Sequence, residues 1–147
     1  MTNNDKPNAA PLPRYRLDEQ VGFLLRRAQQ RHLSQFTALI PDLTSMQFAT
    51  LAKLTEAGAL SQNALGRLTA MDAATIKGVV DRLGKRGLVR TENDKTDRRR
   101  TIVSLTAEGS ALFAALEPAA EQVSELTLAP LSESEQAVFL HLLRKLT

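Results

Sequence analysis

The chain has 147 residues, no cysteine and no tryptophan, 43% hydrophobic and 24% charged residues, and a formal net charge of +3. That is the size and composition of one globular domain able to bury its own core, and the missing cysteine excludes a disulfide scaffold, a thiolate metal centre, a cysteine nucleophile and an oxidation switch. The charge is unevenly placed: residues 61–106 hold ten basic and five acidic side chains, and residues 107–147 hold two and six. Such a split fits a middle segment that meets a polyanion, and equally a solvated face beside an acidic neighbour.

The first sixteen residues, with Pro7, Pro11 and Pro13 and no apolar stretch, read as an arm over 1–16 and not as a secretory signal. No run reaches the ~18 apolar residues of a membrane span, so a cytoplasmic protein without a membrane partner is expected. From Leu17 to about Leu39, apolar residues recur at threes and fours (Leu17, Val21, Leu24, Leu25, Ala28, Phe36, Leu39), which predicts one long helix ended by Pro41. Thr44-Ser45-Met46-Gln47 is a capping box that opens a second helix ending at Gly58.

Ser61 caps a short third helix with Ala64, Leu65 and Leu68 inward, and Asp72 caps a fourth through Ile76, Val79, Val80 and Leu83, loosened and ended by Gly84 and Gly87. Two short helices about three residues apart have helix-turn-helix spacing. Strands over Leu88–Glu92 and Thr101–Leu105 flank a polar loop with four cations, a hairpin with a basic tip. Thr106 caps a helix to about Leu128, which Pro118 should kink, and Ser132 with Glu135 is a second capping box before the last helix.

The predicted fold is therefore mainly α with a small β-hairpin wing: a winged helix-turn-helix over 44–106, within a single domain over 17–147, between terminal helices at 17–40 and 107–147. Those outer helices carry apolar faces that a symmetric dimer would bury.

An enzyme is not expected. His32 and His141 lack metal-ligand spacing and a carboxylate cluster, so no metal or other cofactor is expected. His32 reads as a partly buried polar residue and His141 as a cation near a helix C-terminus. The run from Gly78 to Lys85 fails as a phosphate-binding loop, because five residues separate its glycines and Arg86 stands where Ser or Thr would hold magnesium.

Double-stranded DNA explains more of the chain. The first turns of the fourth helix (Ala73, Ala74, Thr75, Ile76, Lys77, Gly78) would meet base edges in the major groove: Thr75 and Lys77 as hydrogen-bonding groups, small methyls against thymine methyls. Gln62 and Asn63 would face phosphate, and Arg67, Arg82 and Arg86 would flank the backbone. Arg98 and Arg99 at the hairpin tip suit a narrow, negative minor groove. A helical dimer that binds a ligand or partner and does not use DNA is the competing reading, motivated by the acidic last third.

The segment Asp97-Arg98-Arg99-Arg100-Thr101-Ile102-Val103-Ser104-Leu105-Thr106 resembles the D-x-R-x-x-x-V-x-L-T wing signature of MarR-type transcriptional regulators. Leu83 to Val89 resembles the L-E-x-x-G-L-V before it, with Gly84 in place of Glu, and Thr106-Ala107-Glu108-Gly109 resembles the usual opening of the next helix. The resemblance spans about residues 17–147. It implies a homodimer with interlocked terminal helices, and two recognition helices ~34–36 Å apart on a pseudo-palindrome. It also implies that Arg99 enters the minor groove, oriented by a salt bridge from Asp97. Such regulators are usually repressors relieved by a small aromatic or phenolic acid or its CoA thioester. Ile40-Pro41-Asp42-Leu43-Thr44 with Gln47-Phe48 also resembles the subgroup controlling aromatic-acid catabolism. An effector pocket drawn from the first, second and fifth helices would take charge from Arg26, Arg27, Arg31 or His32 and an apolar slot from Phe36, Met46, Phe48 and Phe113; the plain alternative for each aromatic is the core.

Overall fold

The computed structural model describes residues 14–147; the arm expected over 1–16 lies, through residue 13, outside the described residues. A 3-10 turn at Leu17–Glu19 precedes helix α1 (Val21–Leu39), followed by α2 (Ser45–Ala57), the two-residue strand β1 (Leu60–Ser61), α3 (Gln62–Leu68), α4 (Ala73–Lys85), β2 (Val89–Asn93), β3 (Thr101–Leu105), α5 (Ala107–Leu128) and α6 (Glu133–Arg144).

The polar caps set the boundaries. Thr44 Oγ1 accepts from the Gln47 N–H at 3.1 Å while the Gln47 side chain accepts from the Thr44 N–H at 3.0 Å, and Ser132 and Glu135 repeat the arrangement at α6. Ser61, Asp72 and Thr106 each accept from the N–H three residues on. Gly58 (φ 76°) and Gly87 (φ 72°) leave α2 and α4 in the left-handed region that a side chain disfavours.

Several expectations are corrected. The long first helix does not start at Leu17: extended backbone at Gln20 separates the 3-10 turn from α1, and the Gln20 side chain donates back to the Arg16 carbonyl at 2.9 Å. Gly84 lies inside α4, and Gly87 alone follows its end. Leu88 belongs to the turn, so β2 runs one residue later than predicted. α5 runs through Pro118 without ending there, although Pro118 withholds the N–H that would have met the Ala114 carbonyl. β1 was not foreseen: two residues are too few to show alternation, and they exist as a strand only because β3 pairs with them. The sheet is antiparallel in the order β1-β3-β2, with Leu60 opposite Val103 and Thr91 opposite Val103 on the other side.

The core gathers Ile40, Leu51, Leu65, Ile76, Val80, Leu83 and Val103, all essentially solvent-free, and extends to Val123 of α5. Burying a side chain of this type contributes ~1.5–3 kcal/mol, which fixes α4 and the hairpin against α2, α3 and β1. α1 packs along α5, while Leu17, Val21, Leu24, Val138, Leu142 and Leu146 stay exposed on the terminal segments.

Candidate nucleic-acid interface

α3 and α4 cross at Gly66, where an added Cβ would stand 3.0 Å from Ile76 Cγ2 and 3.1 Å from the Met71 carbonyl oxygen. The turn between them closes by two main-chain bonds, Met71 N–H to the Gly66 carbonyl at 2.8 Å and Ala70 N–H to the Arg67 carbonyl at 3.3 Å. This is a Schellman closure, with Ala70 at the left-handed position (φ 55°) that glycine usually holds.

α4 divides cleanly. Ile76, Val79, Val80 and Leu83 are buried, and Ala73, Ala74, Lys77, Asp81 and Arg82 are exposed. Ile76 is thus removed from the predicted base-contacting set. At 0% exposure it is core, because it shares its helical face with the residues three, four and seven positions on. Thr75 is half-buried, and its N–H donates to Asp72 Oδ1 at 2.7 Å. That bond holds the Asp72 carboxyl below its ordinary value. Lys77 Nζ sits 2.8 Å from Asp81 Oδ2, which lowers the Asp81 pKa through the same hydrogen bond. Arg82 lies along the helix, its guanidinium 3.4 Å from where a Cβ on Gly78 would be.

In the wing, the three consecutive arginines have different tasks. Arg100 Nη1 is 3.5 Å from Asp94 Oδ2, and Asp94 also accepts from the N–H and hydroxyl of Thr96. The Thr96 N–H is the main reason the Asp94 carboxyl titrates low. Asp97 Oδ1 accepts the main-chain N–H of Arg99 at 3.0 Å. The expected Asp97–Arg99 salt bridge is therefore corrected: Asp97 shapes the backbone of the tip, and the wing's ion pair is Arg100–Asp94. Among the described residues the side chains of Arg98 and Arg99 have no ionic or hydrogen-bond partner, so both remain available at the tip.

A polar cleft of about 330 Å3 opens between α3 and the wing, lined by Ser61, Gln62, Asn63, Arg67, Arg99, Arg100 and Thr101. The fold thus brings Gln62, Asn63 and Arg67 together with Arg99 across more than thirty residues of sequence. Arg86 departs from this group. Its Nη1 donates to the Asp42 carbonyl at 2.7 Å, so it braces the loop between α1 and α2 and does not flank the exposed face of α4.

The predicted effector residues do not converge on one pocket. Phe36, Phe48 and Phe113 pack on one another with centroids 5.9 and 5.3 Å apart, so the expected apolar slot is filled by its own rings. Met46 is exposed. Arg26 borders a separate surface depression with Tyr15 and Phe23, and Arg27 lies 6.0 Å from the Phe23 ring centroid. Arg31 donates to the Leu126 and Thr127 carbonyls at 2.8 and 3.2 Å, ending α5 with a cation. His32 Nδ1 lies 3.0 Å from Thr127 Oγ1, and of the predicted set it alone lines the apolar cavity of about 450 Å3 between α1, α5 and α6. α6 supplies Phe139, Leu140 and Leu143 to that cavity; the sequence offered only their helical spacing, which a core face shares. No group of three or more His, Asp or Glu side chains that could hold a metal occurs among the described residues, and no described helix is long and apolar enough to cross a membrane.

The model of the MarR family matches residues 43–101, the span from α2 to the start of β3. The transcriptional repressor NicR of Pseudomonas putida is 47% identical over 150 residues, covering 99% of this chain and 95% of that protein. Among solved structures, Bordetella bronchiseptica BpsR, whose DNA binding is regulated by 6-hydroxynicotinic acid, superposes with a TM-score of 0.87 at 42% identity over 91% of this chain and 97% of that one. PcaV of Streptomyces coelicolor, in complex with its natural ligand, gives 0.86 at 35% identity over 92% and 96%.

Proposed function

The chain belongs to the MarR family of transcriptional regulators, and from that premise we propose that it is a homodimeric repressor that leaves a pseudo-palindromic operator when a small aromatic acid binds. The observation that carries this reading is the cleft in which Gln62, Asn63 and Arg67 of α3 meet Arg99 of the wing, together with the exposed face of α4. A strand of DNA presents phosphates to such a cleft while α4 lies in the major groove and the wing tip reaches the adjacent minor groove. Ala73, Thr75 and Lys77 then face base edges, with Arg82 beside the backbone and Arg98 and Arg99 at the minor groove. The protein acts in the cytoplasm, where it meets DNA, and carries out no catalytic step of its own.

The second copy covers the apolar residues left open on the terminal segments, of which Val21 is 67% and Leu146 72% exposed in the single chain. The effector is the free acid and not the CoA thioester. A cavity of about 450 Å3 lies at the small end of the usual range of ligand sites, ~300–1,000 Å3, and His32 offers one ring nitrogen to a carboxylate or phenol in a mostly apolar wall that also holds Gln29, Ser124 and Thr127.

The test is fluorescence anisotropy with a labelled duplex from the region upstream of the protein's own gene, with and without 6-hydroxynicotinic acid and related single-ring acids. Binding that weakens ~5–150-fold with one of these acids is the expected result. Absence of binding at low salt overturns the DNA reading, and binding indifferent to every acid overturns the effector.

A further inference from the structure

The winged helix-turn-helix carries a second groove, apart from the cleft between α3 and the wing. It lies between the C-terminal half of α4 and β2, has a volume of about 470 Å3, and is lined by Val80, Asp81, Gly84, Lys85, Val89, Arg90 and Thr91. Val80 and Val89 are buried and form an apolar floor. Asp81 is already engaged by Lys77 at 2.8 Å. The side chains of Lys85, Arg90 and Thr91 have no ionic or hydrogen-bond partner among the described residues, so the rim holds two unspent cations and a hydroxyl.

We propose that this groove takes one phosphodiester and its sugar from the DNA strand that passes between α4 and the wing, with Lys85 and Arg90 on the phosphate and the valine floor under the deoxyribose. The proposal rests on the DNA-binding reading and deepens it. Three observations carry it. First, Lys77, Asp81 and Lys85 follow at four-residue steps, so the groove opens at the far end of the face of α4 that begins at Ala73. Secondly, Arg90 stands on β2, the strand that leads out to Arg98 and Arg99, so a strand running from the helix to the wing tip passes over it. Thirdly, Gly84 keeps the groove open: the nearest atom to an added Cβ is the Val89 carbonyl oxygen at 4.0 Å. A longer acidic side chain there would occupy the groove and oppose a phosphate. An apolar floor beneath cations matches a sugar–phosphate better than a free inorganic anion, which has no apolar part to bury.

The experiment measures affinity of the full chain for the upstream duplex between about 50 and 200 mM salt, for the wild type, Lys85→Ala/Arg90→Ala, Gly84→Glu and Arg99→Ala. Each lost phosphate contact lowers the salt exponent by ~0.9, so the fourfold rise in salt costs about 3.5-fold less affinity per site, or about 12-fold less for the two sites of a symmetric complex. Both groove variants are expected to show that flattening without a lower melting temperature, Gly84→Glu melting slightly higher because a helix interior favours glutamate over glycine. A wild-type exponent in both groove variants, while Arg99→Ala flattens it, overturns the groove and leaves the DNA reading intact. Unchanged exponents in all three variants overturn the groove together with the Arg99 contact, and no duplex binding at all overturns the DNA reading and the groove with it. Inorganic phosphate alone is the remaining arm: shifts of the Lys85 and Arg90 amides at millimolar phosphate without DNA would make this a small-anion site and refute the strand assignment.

Discussion

Replacing Gly109 with alanine sets two effects of opposite sign against each other. In the interior of a helix, alanine is favoured over glycine by ~0.8–1 kcal/mol, so propensity alone makes Gly109→Ala stabilising. The structure opposes this. Gly109 is buried in the first turn of α5, and a Cβ there would run into the Leu88 carbonyl oxygen, with the Leu88 carbonyl carbon 2.9 Å and Leu105 Cδ2 3.3 Å away. Leu88 has no freedom to retreat: its N–H donates to the Leu83 carbonyl at 3.0 Å, its carbonyl accepts from the Thr106 N–H at 3.1 Å, and Thr106 Oγ1 donates to the Gly87 carbonyl at 2.7 Å. Overpacking against fixed backbone costs ~1–3 kcal/mol, and loss of the Leu88–Thr106 bond about 1 kcal/mol more. The net is a loss of about 2 kcal/mol, or about 4–8 °C in melting temperature for a chain of this size. Differential scanning calorimetry at fixed protein concentration reads it, with Gly84→Ala as the control. At position 84 the nearest atom is 4.0 Å away, so propensity should prevail and stability should rise by up to about 1 kcal/mol. If Gly109→Ala melts at or above the wild type, the close docking of α5 on the turn before the wing is wrong.

Ala70→Gly should stabilise the helix-turn-helix. Left-handed backbone costs an L-residue ~1–2 kcal/mol and glycine's extra unfolded freedom returns ~0.4–1, which leaves a gain of about 0.5–1 kcal/mol by denaturant unfolding; a loss would mean that Ala70 is not strained. Leu142→Glu should weaken self-association. Removing one apolar side chain from each half of a two-fold interface costs ~3 kcal/mol or more, over 100-fold in dissociation constant, and equal sedimentation of variant and wild type would move the interface off α6. Acid acts on Asp72 and Asp94, whose folded pKa values lie below the ordinary 3.8. Their caps are fully present above that value and are lost as pH falls through the folded one. The Thr75 and Thr96 amide shifts should therefore titrate with midpoints below 3.8, and midpoints at or above it would contradict the two hydrogen bonds.

Elements with polar caps and a helical period were legible from residues alone. Thr44 with Gln47, Ser61, Asp72, Thr106 and Ser132 with Glu135 each announce a helix and each make the capping bond. β1 was not legible, because a two-residue strand is defined by its partner. At the interface, residue type proposed candidates and only packing could sort them. Ile76 and Thr75 are neighbours in sequence, but the 100° step of the helix buries one fully and the other by half. Arg98, Arg99 and Arg100 are identical in sequence terms, and the position of Asp94 in the turn decides which one is bound. Arg86 has the sequence position of a cation flanking the DNA backbone, but the fold brings the Asp42 carbonyl to it from 44 residues away. The effector pocket was least legible, since an aromatic that lines a slot and one that fills it have the same spacing.

A hydroxyl-radical footprint of the upstream duplex tests the central claim most directly. The account predicts two protected tracts whose centres lie about one helical turn, ~10–10.5 base pairs, apart, with the minor-groove edge of each tract lost in Arg99→Ala. No protection at low salt, or a single unpaired tract that Arg99→Ala leaves unchanged, would contradict it.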